Sequence, residues 1–158
     1  MIVYLDFDGV LHDEDVVWKR GKGIYVNTAA RSLFEWEPFL IELLAPHPEV
    51  KIVLSTSWVL VKSFDYAKHR LSQPLRDRVV GATFHKHFME RESFINMPRG
   101  LQVCGDVLRR KPMNWLAIDD DGLGWPAWSV DKLLLTDGRL GLSDPATRQD
   151  IQRRLKAN

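Results

Sequence analysis

The sequence has almost no cysteine: Cys104 is the single one in 158 residues, so no intrachain disulfide can form and no thiolate metal cluster can assemble. It also lacks any apolar stretch near the roughly 20 residues that a membrane-spanning helix requires. The amino terminus runs straight into a strand-like segment without the charge pattern of a signal peptide, so a cytoplasmic protein with no membrane partner is expected. A surplus of one charge is missing too. Lys and Arg total 22 against 21 Asp and Glu, a net +1, so bulk electrostatics neither demand nor exclude nucleic acid, and any recognition of phosphate must be local. There is also too little chain for two ordinary domains. Residues 1–158, 45% hydrophobic and 27% charged, suit one domain with a single sizeable core.

What the chain does have is a repeated device, an apolar run that ends in oxygen-bearing side chains. Ile2-Val3-Tyr4-Leu5 leads into Asp6-Phe7-Asp8-Gly9-Val10, Lys51-Ile52-Val53-Leu54 into Ser55-Thr56-Ser57, and Trp115-Leu116-Ala117-Ile118 into Asp119-Asp120-Asp121. Each run is short and bounded by a turn signal, the pattern of a buried parallel strand. Open α/β sheets bind ligands at the carboxyl ends of their strands, so the three clusters are expected to meet along one edge. A lone Asp-x-Asp is common, and a solvated turn would account for it. Three such strand ends are not explained that way. Two aspartates one residue apart at that edge invite a divalent cation, and Gly9 is expected to let backbone approach a ligand.

The intervening segments suit crossovers. Trp36, Phe39, Leu40, Leu43 and Leu44 form a stripe that predicts a helix over 35–45, halted by Pro46 and Pro48. Further helices are expected over 58–71 and from Pro98 to Arg110, with strands over 79–84 and 132–136. Ser143-Asp144-Pro145 caps a terminal helix whose Ile151 and Leu155 face inward. Alternating strands and helices predict a three-layer α/β domain around a doubly wound parallel sheet. Val16-Val17-Trp18 and Ile24-Tyr25-Val26, joined by Lys19-Arg20-Gly21-Lys22-Gly23, predict a hairpin with a basic tip.

The chain resembles the haloacid dehalogenase (HAD) superfamily of phosphohydrolases. The opening strand with Asp6 to Val10 is similar to its first motif, Thr56 (or Ser55 in the alternative register) to its second, and Asp119-Asp120 to its fourth. Leu5 to Leu11, Ser55 to Trp58 and Ile118 to Asp121 are also similar to segments of HAD domains fused to bacterial and phage RNA repair proteins. The resemblance implies strand order 5-4-1-2-3, a β-hairpin flap within residues 11–34, and no large cap, leaving an open site. It implies Asp6 as nucleophile, forming an aspartyl-phosphate, and Asp8 as the general acid and base. Mg²⁺ would be held by Asp6, the Asp8 carbonyl, Asp119 and Asp120. Thr56 would donate to the phosphoryl group, with Gly9 and Ser55 beside the substrate. The third-motif cation falls to Arg99 or, alternatively, Lys86; most members use Lys at that position, and a guanidinium holds phosphate differently. The expected substrate is a phosphate monoester, extending to a nucleotide or a nucleic-acid terminal phosphate. A phosphate- or protein-binding module without activity is the other reading, but it would be expected to have lost Asp6, Asp8 or the acidic pair.

Several residues have plainer readings. His85 and His87 have no partners at zinc spacing and suit packing or solvent. His12-Asp13-Glu14-Asp15 can simply solvate the turn after the first motif. Cys104 suits a half-buried helix position. Trp58 and Trp125-Pro126-Ala127-Trp128 are open between packing and stacking on a base.

Overall fold

The computed structural model describes residues 1–157. In chain order its strands are β1 (Ile2–Leu5), β2 (Val16–Lys19), β3 (Gly23–Val26), β4 (Lys51–Leu54), β5 (Val79–Ala82), β6 (Trp115–Asp119) and β7 (Leu133–Leu135). Its helices are α1 (Glu37–Leu44), α2 (Trp58–Val61), α3 (Phe64–Arg70), α4 (Gln73–Arg76), α5 (Arg91–Ile95), α6 (Arg99–Arg110) and α7 (Pro145–Lys156). The apolar runs show little polar alternation because both faces of their sheet are covered. They pair in parallel in the order β5-β4-β1-β6-β7, which is the expected 5-4-1-2-3 when the sheet strands alone are numbered.

Successive residues of the central strands point to opposite layers. Val3, Leu5, Ile52, Leu54, Leu116 and Ile118 join the larger core with Leu40 and Leu44 of α1, Leu75 of α4, and Ile151 and Leu155 of α7. Tyr4, Val53 and Ala117 face the other way, onto Val103 and Val107 of α6. Tyr4 also donates its hydroxyl to Asp106 of α6 at 2.8 Å, locking that helix to the central strand. The three-layer α/β arrangement follows. No helix among the described residues is long and apolar enough to cross a membrane.

Some boundaries depart from expectation. Residues 58–71 form two helices, because Ser63 is extended and its hydroxyl accepts the Tyr66 N–H at 3.0 Å, starting α3 afresh. The third sheet strand ends at Ala82 and the last spans only Leu133–Leu135, with Lys132 drawn into a short 3₁₀ turn. Helix α1 begins at Glu37 with Pro38 in its first turn. Cys104 is buried rather than half-buried, and burial pushes its thiol pKa up. The hairpin forms as expected, β2 antiparallel to β3 around a turn with Gly21 at φ +81°. Between β5 and α6 only the short α5 intervenes, so no cap covers the carboxyl edge among the described residues.

Candidate active site

Parallel pairing in register puts the ends of β1, β4 and β6 side by side, and the first residue past β1 is Asp6. Its carboxylate is buried. One oxygen accepts the Phe7 N–H at 2.7 Å, and the other accepts from the Arg99 guanidinium at 3.0 Å. Arg99 opens α6 and also pairs with Asp119, Nε to Oδ2 at 3.3 Å. It can lie this close because the first turn of α6 docks backbone to backbone on the loop after β6, where Gly100 donates to the Leu123 carbonyl at 2.9 Å. A β-carbon at residue 100 would stand 2.5 Å from the Trp125 nitrogen.

Asp6, Asp119 and Asp120 each offer a carboxylate oxygen, and those oxygens all lie within 4.8 Å of one another. Three acids around one guanidinium repel in a site shielded from water. Burial first, then the Asp8 charge, push Asp6 above the usual carboxylate range, against Arg99, the Phe7 amide and the Thr56 hydroxyl. Burial and the Asp6 charge push Asp119 well above it, and burial, Asp6 and Glu14 push Asp120 up to about 6. Burial works against the Arg99 charge, yet Asp6, Asp119, Asp121 and Asp120 together hold the guanidinium more firmly protonated than usual. Apart from its ion pair with Arg99, the buried Asp119 Oδ2 has no hydrogen-bond partner. An oxygen-rich cluster with surplus negative charge and a buried carboxylate oxygen that no hydrogen bond satisfies fits a hard divalent cation such as Mg²⁺.

Asp8 points away from that cluster. Its Oδ1 accepts the Trp58 indole N–H at 2.9 Å and lies 2.9 Å from His12 Nε2; its Oδ2 is 3.2 Å from the same indole nitrogen. His12 is fully buried, and its Nδ1 accepts the Phe34 N–H at 3.2 Å. That bond leaves the ring proton on Nε2, so the neutral imidazole donates to Asp8. Phe34 itself sits at φ +60°, a conformation that bulky residues seldom adopt. Phe7, Phe34 and Trp58 pack edge to face behind the pair, with ring centroids 5.2–5.8 Å apart.

The sequence profile of the HAD domain in Swiss Army Knife RNA repair proteins matches residues 2–147. The chain belongs to this family. No curated protein and no solved structure matches it. HAD domains are mostly hydrolases of phosphate esters and generally depend on Mg²⁺, which agrees with the fold and with the acidic cluster.

Within this HAD domain the remaining candidates are dispersed. Thr56 is buried, its hydroxyl accepting the Trp58 N–H at 3.3 Å and drawing the Asp6 pKa down, whereas the Ser55 hydroxyl is buried without a partner. Gly9 has φ +70°, and a β-carbon there would lie 2.2 Å from Asp120 Oδ2, so its missing side chain makes room for Asp120. Lys86 stands outside the carboxylate cluster, on the rim of a groove beside β5. Asp121 folds its own turn, accepting the Leu123 N–H at 2.8 Å. In the loop after the fourth motif, Trp125 donates its indole N–H to the Asp121 carbonyl, and Trp128 packs edge-on against Trp115. The plainer reading of His12 misses its bond to Asp8. Its spacing of four from Asp8 was the one available signal, since Phe34 and Trp58 arrive from distant segments.

Proposed function

We propose that the protein is a Mg²⁺-dependent phosphomonoesterase working through an aspartyl-phosphate on Asp6. The observation that carries this reading is the division of labour between two aspartates two residues apart. Asp6 lies among Arg99, Asp119 and Asp120, while Asp8 is turned outward and held by His12 and Trp58. Asp6, Asp119, Asp120 and the Asp8 carbonyl would hold the metal. When bound, it supplies the positive charge that lets an anionic nucleophile meet an anionic phosphate.

The chain's own groups carry the proton and the phosphoryl group. An Asp6 oxygen attacks phosphorus as the bond to the leaving oxygen breaks, and Asp8 delivers its proton to that oxygen. Because Asp8 Oδ1 accepts the shorter bonds from His12 and Trp58, while Oδ2 shares only the longer, 3.2 Å branch of the Trp58 bond, Oδ2 is the oxygen that bears this proton. Asp8, now a carboxylate, takes a proton from water as the water attacks the aspartyl-phosphate, which frees Asp6 and releases phosphate. Arg99 opposes the upward push on the Asp6 pKa and orients its carboxylate, and the Thr56 hydroxyl donates to the phosphoryl oxygens.

The open edge and the family's place in RNA repair proteins support a nucleic-acid terminal phosphate as substrate. With Mg²⁺, phosphorylated oligonucleotides should be hydrolysed with higher kcat/KM than sugar phosphates. Asp6→Asn should abolish turnover of every ester and EDTA should silence the wild type. Phosphate release by Asp6→Asn at the wild-type rate would refute the mechanism.

A further inference from the structure

From Asp8 an aromatic path leads outward on the β4–β5 side of the site. The Trp58 ring, whose N–H holds Asp8, lies 6.3 Å from Tyr66 at an interplanar angle of 31°. Beyond it, Lys62 Nζ stands 6.0 Å from the Tyr66 ring and 5.7 Å from the Trp18 ring of the flap. Trp18 is 60% exposed and Tyr66 38%. One flexible ammonium thus reaches both partly exposed rings, at the outer limit of cation–π contact with each.

Lys62 is also a wall of an open groove of about 720 Å³ between α2–α3 and β5, with Phe64 and Phe84 on its apolar surface. Lys62, Lys86 and Arg91 line it against the single carboxylate of Asp65, and among the described residues none of these three cations is ion-paired. Exposed aromatic rings beside cations without ion pairs, joined to the proposed phosphate centre through Lys62, Tyr66 and Trp58, suit a chain that carries both bases and phosphates. An acidic peptide would satisfy the cations but offers nothing to the exposed ring faces.

We propose that this surface is the track for the single-stranded nucleic acid behind the scissile phosphate. The terminal nucleobase enters between Trp18 and Tyr66, and the following phosphates lie along Lys62, Lys86 and Arg91. The assignment rests on the phosphohydrolase reading above and places the strand on the β5 side, away from the Trp125–Trp128 loop. Lys62 moves from the two rings to a phosphate as the base enters. A duplex cannot use the site, because its bases are already stacked.

The test compares kcat/KM for p-nitrophenyl phosphate with that for mono- through hexanucleotides phosphorylated at either end, in wild type, Trp18→Ala and the double variant Lys86→Glu/Arg91→Glu. Wild-type kcat/KM should climb with length, by about tenfold for the first stacked base. Trp18→Ala should remove that first gain. The double variant should flatten the later gains and reduce the salt dependence of oligonucleotide turnover. Length-independent turnover, or a climb that both variants keep, would overturn the track and leave the hydrolase standing. If no ester is turned over, the hydrolase reading fails, and fluorescence anisotropy with an unphosphorylated single strand still decides the track. Weaker binding by both variants supports it, and no binding, equal binding to duplex, or full competition by poly-glutamate overturns it.

Discussion

For the general acid proposed at Asp8, His12 and Trp58 supply the orientation that the carboxyl group lacks on its own. A free aspartate samples several rotamers, whereas Asp8 is held by two donors, His12 on Oδ1 and Trp58 across both oxygens, whose own rings are buried. General acid catalysis contributes about 10²- to 10⁴-fold, so misorienting Asp8 should forfeit a sizeable part of that. His12→Ala should lower kcat/KM for an alkyl phosphate roughly tenfold or more. The loss for p-nitrophenyl phosphate should be smaller, because its phenolate leaves with little help from a proton. His12→Gln, whose amide nitrogen can take the place of Nε2, should recover much of the difference. Equal losses on both esters would mean that His12 serves packing alone. Gly9 is a second residue whose role is spatial. Gly9→Ala meets both the left-handed backbone at φ +70° and the Asp120 carboxylate, and it should cost about 1–3 kcal/mol in denaturant unfolding while displacing Asp120 from the acidic cluster.

Helix α6 carries Arg99 into the cluster at one end and is anchored at the other by Asp106, which is 1% exposed. Asp106 accepts from Tyr4, Arg109 and Arg110, and burial together with Asp106 pushes the Tyr4 pKa up, so the phenol stays a donor. Removing the acceptor leaves a buried hydroxyl and two guanidinium groups without it. Asp106→Ala should therefore lower unfolding free energy by about 3 kcal/mol or more, read from the urea midpoint at constant m. An unchanged midpoint would show that the anchor contributes nothing. Elements of this kind differ in how far sequence reveals them. The strands β1, β4 and β6, and the oxygen clusters at their ends, are legible because an apolar run and its turn are local. The break between α2 and α3 is not, since Val59, Leu60 and Val61 continue the helical pattern while Ser63 competes by capping the next helix. The grip on Asp8 is illegible for a different reason. It needs a helical turn at residues 7–12, a left-handed Phe34 and the first residue of α2 to converge, and no single segment records that convergence.

At the scale of the whole molecule, near-neutral net charge conceals a strong local imbalance at the carboxyl edge of the sheet. Acids whose folded pKa lies above the unfolded value hold more protons in the folded chain, so stability falls as pH rises between the two values and stays lower above them. For Asp120 that window runs from the ordinary carboxylate value, about 3.9, up to about 6, with burial as the first cause and the Asp6 charge as the second. Asp120 is partly exposed, so solvent screens the effect to about 1 kcal/mol, or about 2–4 °C in Tm for a chain of this size. In EDTA, Asp120→Asn should match the wild type near pH 4 and become the more stable protein as pH rises through 6. The proposed Mg²⁺ site exists in the folded cluster and not in the unfolded chain, so added Mg²⁺ should raise the wild-type Tm at pH 7 more than at pH 5. The gain should be much smaller in Asp120→Asn, which has given up one carboxylate. Scanning calorimetry of both proteins at the two pH values, with EDTA and then with Mg²⁺, measures all of these differences without depending on activity. Equal Mg²⁺ responses in the two proteins would show that Asp120 contributes no charge to the site. A wild type that gains relative to Asp120→Asn as pH rises would show that the cluster is neutralised from within the chain, by Arg99, and needs no cation to be stable.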